Sequence, residues 1–147
     1  MTRTEDRDDF LAGRTRFAML SSLRMDGSPI TVPVWFRWDG QRVSMFCAVN
    51  SVKLTRIERD PRISVLVANE VDEPEYWVAF DGEARIEDDG GFELAEQLAG
   101  DYWDLTDPER AETLEMWRAF KDGGFRKVVL EPSRIRSHQP DQAPPEE

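Results

Sequence analysis

Apolar and polar positions alternate cleanly between residues 30 and 38. Ile30, Val32, Val34, Phe36 and Trp38 fall on one face, and Thr31, Pro33, Trp35 and Arg37 on the other. A period of two is that of a half-buried strand. Residues 17–24 read as a strand before it, and Asp26-Gly27 between the two is a hairpin turn, since glycine reaches the positive φ that tight turns need. Asp39-Gly40 repeats the signal and leads into a strand over 43–48. Pro33 has no N–H to give to a ladder, so a fully paired central position is not expected there. The apolar run 63–68 predicts a strand buried on both faces. Alternation returns at Tyr76, Val78, Phe80, Gly82, Ala84 and Ile86, a long fifth strand, and residues 125–135 give the last.

Helical spacing occupies the gaps. Residues 4–12 form a short helix ended by Gly13. Asn50 or Ser51 caps a second, running to about Arg59 with Leu54 and Ile57 inward. Leu94, Ala95, Leu98 and Tyr102 stripe a third helix. A fourth opens either with Thr106 and Glu109 at capping-box spacing or with Asp107 as cap and Pro108 in the first turn. Its expected inner face is Ala111, Leu114, Trp117 and Phe120, and Gly123-Gly124 ends it. Hairpin-linked strands with few helices favour a closed or half-open antiparallel barrel over a doubly wound sheet.

Length and charge narrow the function classes. The 147 residues make one domain, expected over 1–138, followed by a Pro/Glu/Gln-rich tail over 139–147 expected to be disordered. A net charge of −11 disfavours nucleic acid and anionic lipid as partners. No apolar run approaches the roughly 20 residues needed to span a bilayer. The charged first nine residues lack an apolar signal-peptide core, so a cytoplasmic location is expected. The single cysteine, Cys47, forms no internal disulfide and reads as a small strand hydrophobe. One histidine and one cysteine do not make a zinc site. His138 is expected to have no role, and Asp101, Asp104 and Asp107 to be solvated. G-x-S-x-G, P-loop and G-x-G-x-x-G motifs are missing from the sequence.

The chemistry concentrates in residues 50–62, Asn-Ser-Val-Lys-Leu-Thr-Arg-Ile-Glu-Arg-Asp-Pro-Arg, where a strand hands over to a helix. A helix N-terminus offers free N–H groups and partial positive charge, which suits a phosphate. Ser51 adds a hydroxyl, Lys53 an ammonium, and Arg56 follows three residues later on a similar side. From Lys53 to Arg62 four basic residues outnumber two acidic ones, against the balance of the whole chain. The plain alternative is a capped surface helix with solvated charges.

Ser-x-Lys followed seven residues on by Asp-Pro-Arg, with the Asp26-Gly27-Ser28-Pro29 turn, the Pro33-Val34-Trp35-Phe36 strand and Trp77-Val78-Ala79-Phe80-Asp81-Gly82-Glu83-Ala84, resembles the pyridoxamine 5'-phosphate oxidase-like split-barrel family. The likeness runs over roughly 17–135 and is nearest to the actinobacterial deazaflavin (coenzyme F420)-dependent reductases. It implies a mainly β fold, a six-stranded antiparallel split barrel with flanking helices, dimerised so that cofactor clefts lie between subunits. It implies that Ser51 and Lys53 contact the cofactor phosphate and that Arg56 supports the phosphate or an anionic tail. Val34 and Trp35, with Phe46, Cys47 and Ala48, would lay strand backbone beside the ring. Arg62 would brace structure. Tyr102, Trp103 and Trp117 read as core or dimer-face residues, with Trp103 alternatively at the substrate end of the cleft. The expected activity is hydride transfer from reduced coenzyme F420 to a small organic acceptor, with no catalytic acid or base supplied by the match. An FMN-dependent oxidase or reductase, and a non-catalytic flavin or haem binder, stay open. A homodimer is expected, since a small barrel with five tryptophans has more apolar surface than one subunit covers.

Overall fold

The strands are all paired antiparallel in one curled sheet, described here from a computed structural model covering residues 3–138. The proposed tail over 139–147 lies outside the described residues. In chain order the elements are α1 (Arg3–Ala12), β1 (Ala18–Leu23), β2 (Pro29–Val34), β3 (Arg37–Trp38), β4 (Val43–Ala48), α2 (Val52–Arg59), β5 (Arg62–Ala68), β6 (Trp77–Glu87), α3 (Gly91–Tyr102), α4 (Pro108–Arg118), β7 (Phe125–Leu130) and β8 (Arg134–His138). The order across the sheet is β2-β1-β5-β6-β7-β4-β3, with β8 also paired to β6. The architecture is a half-barrel with flanking helices, the split-barrel form.

Six strand-length runs in the sequence become eight ladder segments because two of them bend. The alternating run 30–38 is not one strand: pairing stops at Val34 and resumes at Arg37. Pro33 sits in β2, which among the described residues pairs only with β1, so the missing N–H costs nothing in the ladder. The run 125–135 is likewise two strands, broken where Pro132 and Ser133 leave the ladder. β6 is long enough to serve both. Its residues 77–81 pair with β8 and its residues 84–87 with β7. The handover is at Gly82, where a Cβ would meet Leu130 Cδ1 at 3.0 Å and the Ser133 nitrogen at 3.2 Å.

The barrel interior collects Leu20, Val43, Met45, Val65, Val78, Phe80, Val128 and Leu130. α2 plugs it with Leu54 and Ile57, which are 2% and 1% exposed. Each such side chain contributes about 1.5–3 kcal/mol of burial. Cys47 joins this core as the small hydrophobe expected. α3 and α4 cover the opposite face of β4 and β7 and enclose a second apolar cluster built on Phe92, Ala99, Leu114 and Phe125. Gly91 permits that close seat: a Cβ there would lie 2.8 Å from the Arg126 nitrogen. Of the two possible starts for α4, Asp107 is the cap, accepting from the Glu109 N–H at 3.0 Å, with Pro108 in the first turn.

Two burial expectations are corrected. β5 is not buried on both faces; it alternates, and Leu66 is 38% exposed. The run looked continuous only because both faces carry apolar residues. Phe120 is not on the inner face of α4 but lies beyond its end, 66% exposed. The outward face of β1, β5, β6 and β8 carries Met19, Leu66, Ala79 and Trp77, with Ser21, Ser64, Asp81 and Arg136 beside them. Asp81 accepts two hydrogen bonds from Arg136, at 2.7 and 2.9 Å, and one from Ser64 at 2.6 Å.

Candidate functional site

The β1–β2 ladder ends at the pair Ala18 and Val34. Beyond it Phe17 and Trp35 stand at one side of a cleft of about 200 Å³, whose lining is completed by Pro33, Val34, Phe46, Trp117 and Lys53. Four of the sequence-derived candidates, Val34, Trp35, Phe46 and Lys53, therefore meet in one place. Trp35 reaches it from the irregular link after β2, Phe46 from the outward face of β4, and Lys53 from the first turn of α2.

The walls are a contiguous aromatic stack. The Trp35 ring lies parallel to Tyr102 at 5.0 Å and 10°. Trp103 stands edge-on to it at 4.8 Å, and Phe46 at 5.9 Å. Trp117 touches Phe46 at 5.8 Å and Trp103 at 5.2 Å. Such offset and edge contacts add to simple area burial and fix ring orientation. Trp103 packs behind Trp35 rather than in the lining, with the Arg110 guanidinium 4.8 Å from its ring centroid.

The basic side of the cleft is organised by the start of α2. Ser51 is its N-cap, extended in backbone, and its side-chain oxygen accepts from the Leu54 N–H at 3.2 Å. The other first-turn N–H groups have no intrahelical acceptor. Lys53 and Arg56 form no ion pair among the described residues. Cys47 projects to the other side of β4 from Phe46, into the core. Burial pushes its thiol above the ordinary range, opposed by the Lys53 charge and a hydrogen bond with Ser51. Its side chain is therefore set beneath the capping turn, and only its backbone can face the cleft. Ala48 is exposed at the end of β4.

The remaining cations of this segment are committed. Arg59 donates to the Leu23 carbonyl at 3.0 Å. Arg62 folds back on Asp60 with bonds of 3.0 and 2.7 Å, which holds that carboxyl down to about 2. A second cavity of about 240 Å³ between α1 and β3 also contains arginines. Each is occupied: Arg14 by Asp72, Arg16 by Glu73, and Arg37 by Gln97 with Asp101 3.7 Å away. Asp104 and Asp107 cap turns through Thr106 and Glu109. His138 stacks on Trp77.

Sequence reasoning did not assign Phe17 and Trp117 to the cleft. Trp117 reads as helix core by spacing, and it does pack there; only the placement of α4 over β4 brings its edge into the lining. Phe17 reads in the sequence only as the first residue of a strand over 17–24, whereas β1 begins one residue later, at Ala18.

The family model described as pyridoxamine 5'-phosphate oxidase matches residues 4–137. No curated protein is significantly similar to the sequence. Among solved structures, an F420 reductase superposes with a TM-score of 0.69 at 22% identity, covering 87% of this chain and 94% of that one. A conserved hypothetical protein of Mycobacterium tuberculosis gives 0.67 at 21% identity, over 95% of this chain and 85% of the other. General stress protein 26 of Bacillus anthracis gives 0.65 at 21%, over 92% and 94%. At these identities the likeness is one of fold.

Proposed function

The chain belongs to the pyridoxamine 5'-phosphate oxidase family, and on that premise we propose that it is an oxidoreductase using reduced coenzyme F420 to transfer hydride to a small organic acceptor. One observation carries the reading: an aromatic cleft whose lining, among the described residues, holds a single cation, Lys53, with no carboxylate partner among them, in a chain of net charge −11. A phosphorylated, planar ring system matches both halves of that description.

The donor set fits such a group. The Ser51 hydroxyl, the Lys53 ammonium and the first-turn N–H groups of α2 would hold the phosphate, with the helix dipole favouring negative charge there. The irregular backbone at Val34 and Trp35, and the β4 edge at Phe46, Cys47 and Ala48, would flank the ring. Bound and reduced, a deazaflavin would supply the hydride there. The work of the chain is positioning and exclusion of water by Trp35, Phe46 and Trp117. Among the described residues Lys53 is the only ionisable side chain in the lining, which accords with a site that orients reactants rather than shuttling protons.

FMN in the same cleft is the second reading, and Arg59 favours it. F420 continues past its phosphate into an anionic tail. With Arg59 held by Leu23 and Arg62 by Asp60, Arg56 is the arginine of this segment left to meet that tail. Titrating the purified protein with deazaflavin, FMN, FAD and haem in parallel decides between them. Stoichiometric yellow FMN with no response to deazaflavin would replace the first reading by the second.

The proposed state is a homodimer, supported by the outward sheet face where Met19 and Leu66 are 40% and 38% exposed. Among the described residues no helix is long and apolar enough to cross a membrane. The proposed setting is the cytoplasm.

A further inference from the structure

Tyr102 does not line the cleft, yet it touches both aromatic residues at the end of the β1–β2 ladder. Its ring stacks on Trp35 at 5.0 Å and tilts against Phe17 at 5.7 Å. Its hydroxyl binds the backbone immediately beside each of them. It donates to the Arg16 carbonyl, one residue before Phe17, and accepts from the Phe36 N–H at 3.3 Å, one residue after Trp35.

The register gives this arrangement its meaning. β1 and β2 pair from Leu23 with Pro29 to Ala18 with Val34. Continued two residues further, the same register would set Arg16 opposite Phe36. The Tyr102 oxygen stands between the groups that a continued ladder would bring together. We propose that Tyr102 is the positioning residue of the cleft, its phenol inserted as a wedge in the β1–β2 ladder so that Phe17 and Trp35, which the continued register would pair with each other, are instead held at the cleft wall.

Three further facts agree. A buried N–H and C=O must find partners when a ladder stops, and the hydroxyl satisfies both at once, acting as donor and acceptor. Burial pushes the phenol above its ordinary pKa, so it stays protonated and keeps both roles at neutral pH. Tyr102 is the last residue of α3, and that helix is seated on β7 by the close approach at Gly91. The wedge is thus set from outside the barrel, by a helix with no residue in the lining.

The role of the wedge in ligand binding rests on the cofactor reading above, so the test separates the two. Tyr102→Phe keeps the ring and removes only the oxygen. In uniformly 15N-labelled protein without ligand, the Phe36 amide resonance should shift and its hydrogen exchange quicken by roughly tenfold, the worth of one neutral hydrogen bond. Titrated with FMN and deazaflavin, the variant should bind the preferred cofactor roughly tenfold more weakly. Ile63→Val, a buried change outside the lining, should lose stability and keep affinity. An unmoved Phe36 amide overturns the wedge. A shifted amide with unchanged affinity overturns the positioning role, as does an equal affinity loss in Ile63→Val. Wild-type protein that binds none of the cofactors overturns the functional reading instead, and the Phe36 amide then decides the wedge alone.

Discussion

Arg16 and Glu73 form a two-pronged ion pair in which the second guanidinium nitrogen lies 2.6 Å from the carboxylate and the arginine side chain is only 3% exposed. The same guanidinium donates to the Phe10 carbonyl at 3.1 Å and lies 3.9 Å from the Phe10 ring centroid. The loop between β5 and β6 is thereby tied to the segment joining α1 to β1, which leads directly into Phe17.

This pair should give stability a distinct acid dependence. The Arg16 bonds hold the Glu73 carboxyl at about 2, against an ordinary 4.5. A depressed carboxyl pKa means the unfolded chain binds the proton first. The contribution is therefore complete above about 4.5 and is lost as pH falls toward 2. Urea denaturation of wild type and Arg16→Met should show a stability difference that is largest at neutral pH and narrows toward pH 2, leaving the pH-independent remainder of the lost Phe10 contacts. Glu73→Gln should destabilise more than Arg16→Met, since it leaves the buried guanidinium without its counter-charge.

Lys53→Ala should weaken cofactor binding roughly 10- to 150-fold, the range of one charge-assisted hydrogen bond. Arg59→Ala should leave affinity nearly unchanged and lower stability slightly, because Arg59 is spent on the Leu23 carbonyl. Isothermal titration of both variants checks this. Equal small effects would count against a phosphate beside Lys53.

Arg56→Ala should separate the two cofactors. It should weaken deazaflavin binding severalfold and reduce its salt dependence, while FMN, which ends at its phosphate, changes little. An exposed pair of this kind is worth about 1 kcal/mol at most and is screened by salt. Titrations at low and high ionic strength read the difference.

Gly91→Ala should destabilise the protein by about 1–3 kcal/mol. The new Cβ would stand 2.8 Å from the Arg126 nitrogen, a backbone atom that cannot turn aside as a side chain would. Because α3 carries Tyr102, the variant should also loosen the cleft, seen as weaker cofactor binding at a temperature where it remains folded.

Leu66→Arg should convert the proposed dimer to a monomer in light scattering. Leu66 pairs with Met19 on one side and Ala79 on the other, at the middle of the outward sheet face. A charge there has no partner in a self-packed interface. A wild-type protein that is already monomeric at micromolar concentration removes the premise.

The sequence by itself determined which segments are strands and which are helices, since periods of two and 3.6 are local. It marked Val43–Ala48 and Val52–Arg59 correctly, and singled out Ser51 and Lys53 because capping chemistry is written in consecutive residues. Where one strand becomes two was not legible. The run 30–38 keeps its alternation straight through the break, because the break is made by Tyr102, 66 residues away from Phe36. Leu66 looked buried on composition, as period alone does not reveal whether a second apolar face has anything packed on it. Cys47 and Phe46 are neighbours in sequence, yet one enters the core and the other the cleft wall, as strand alternation requires once the core side is known. Local chemistry named the cation and the cap. The cleft itself was decided only when α3 and α4 settled on β4 and β7, because contacts such as Trp35 with Tyr102 and Phe46 with Trp117 join residues whose sequence separation leaves no local trace.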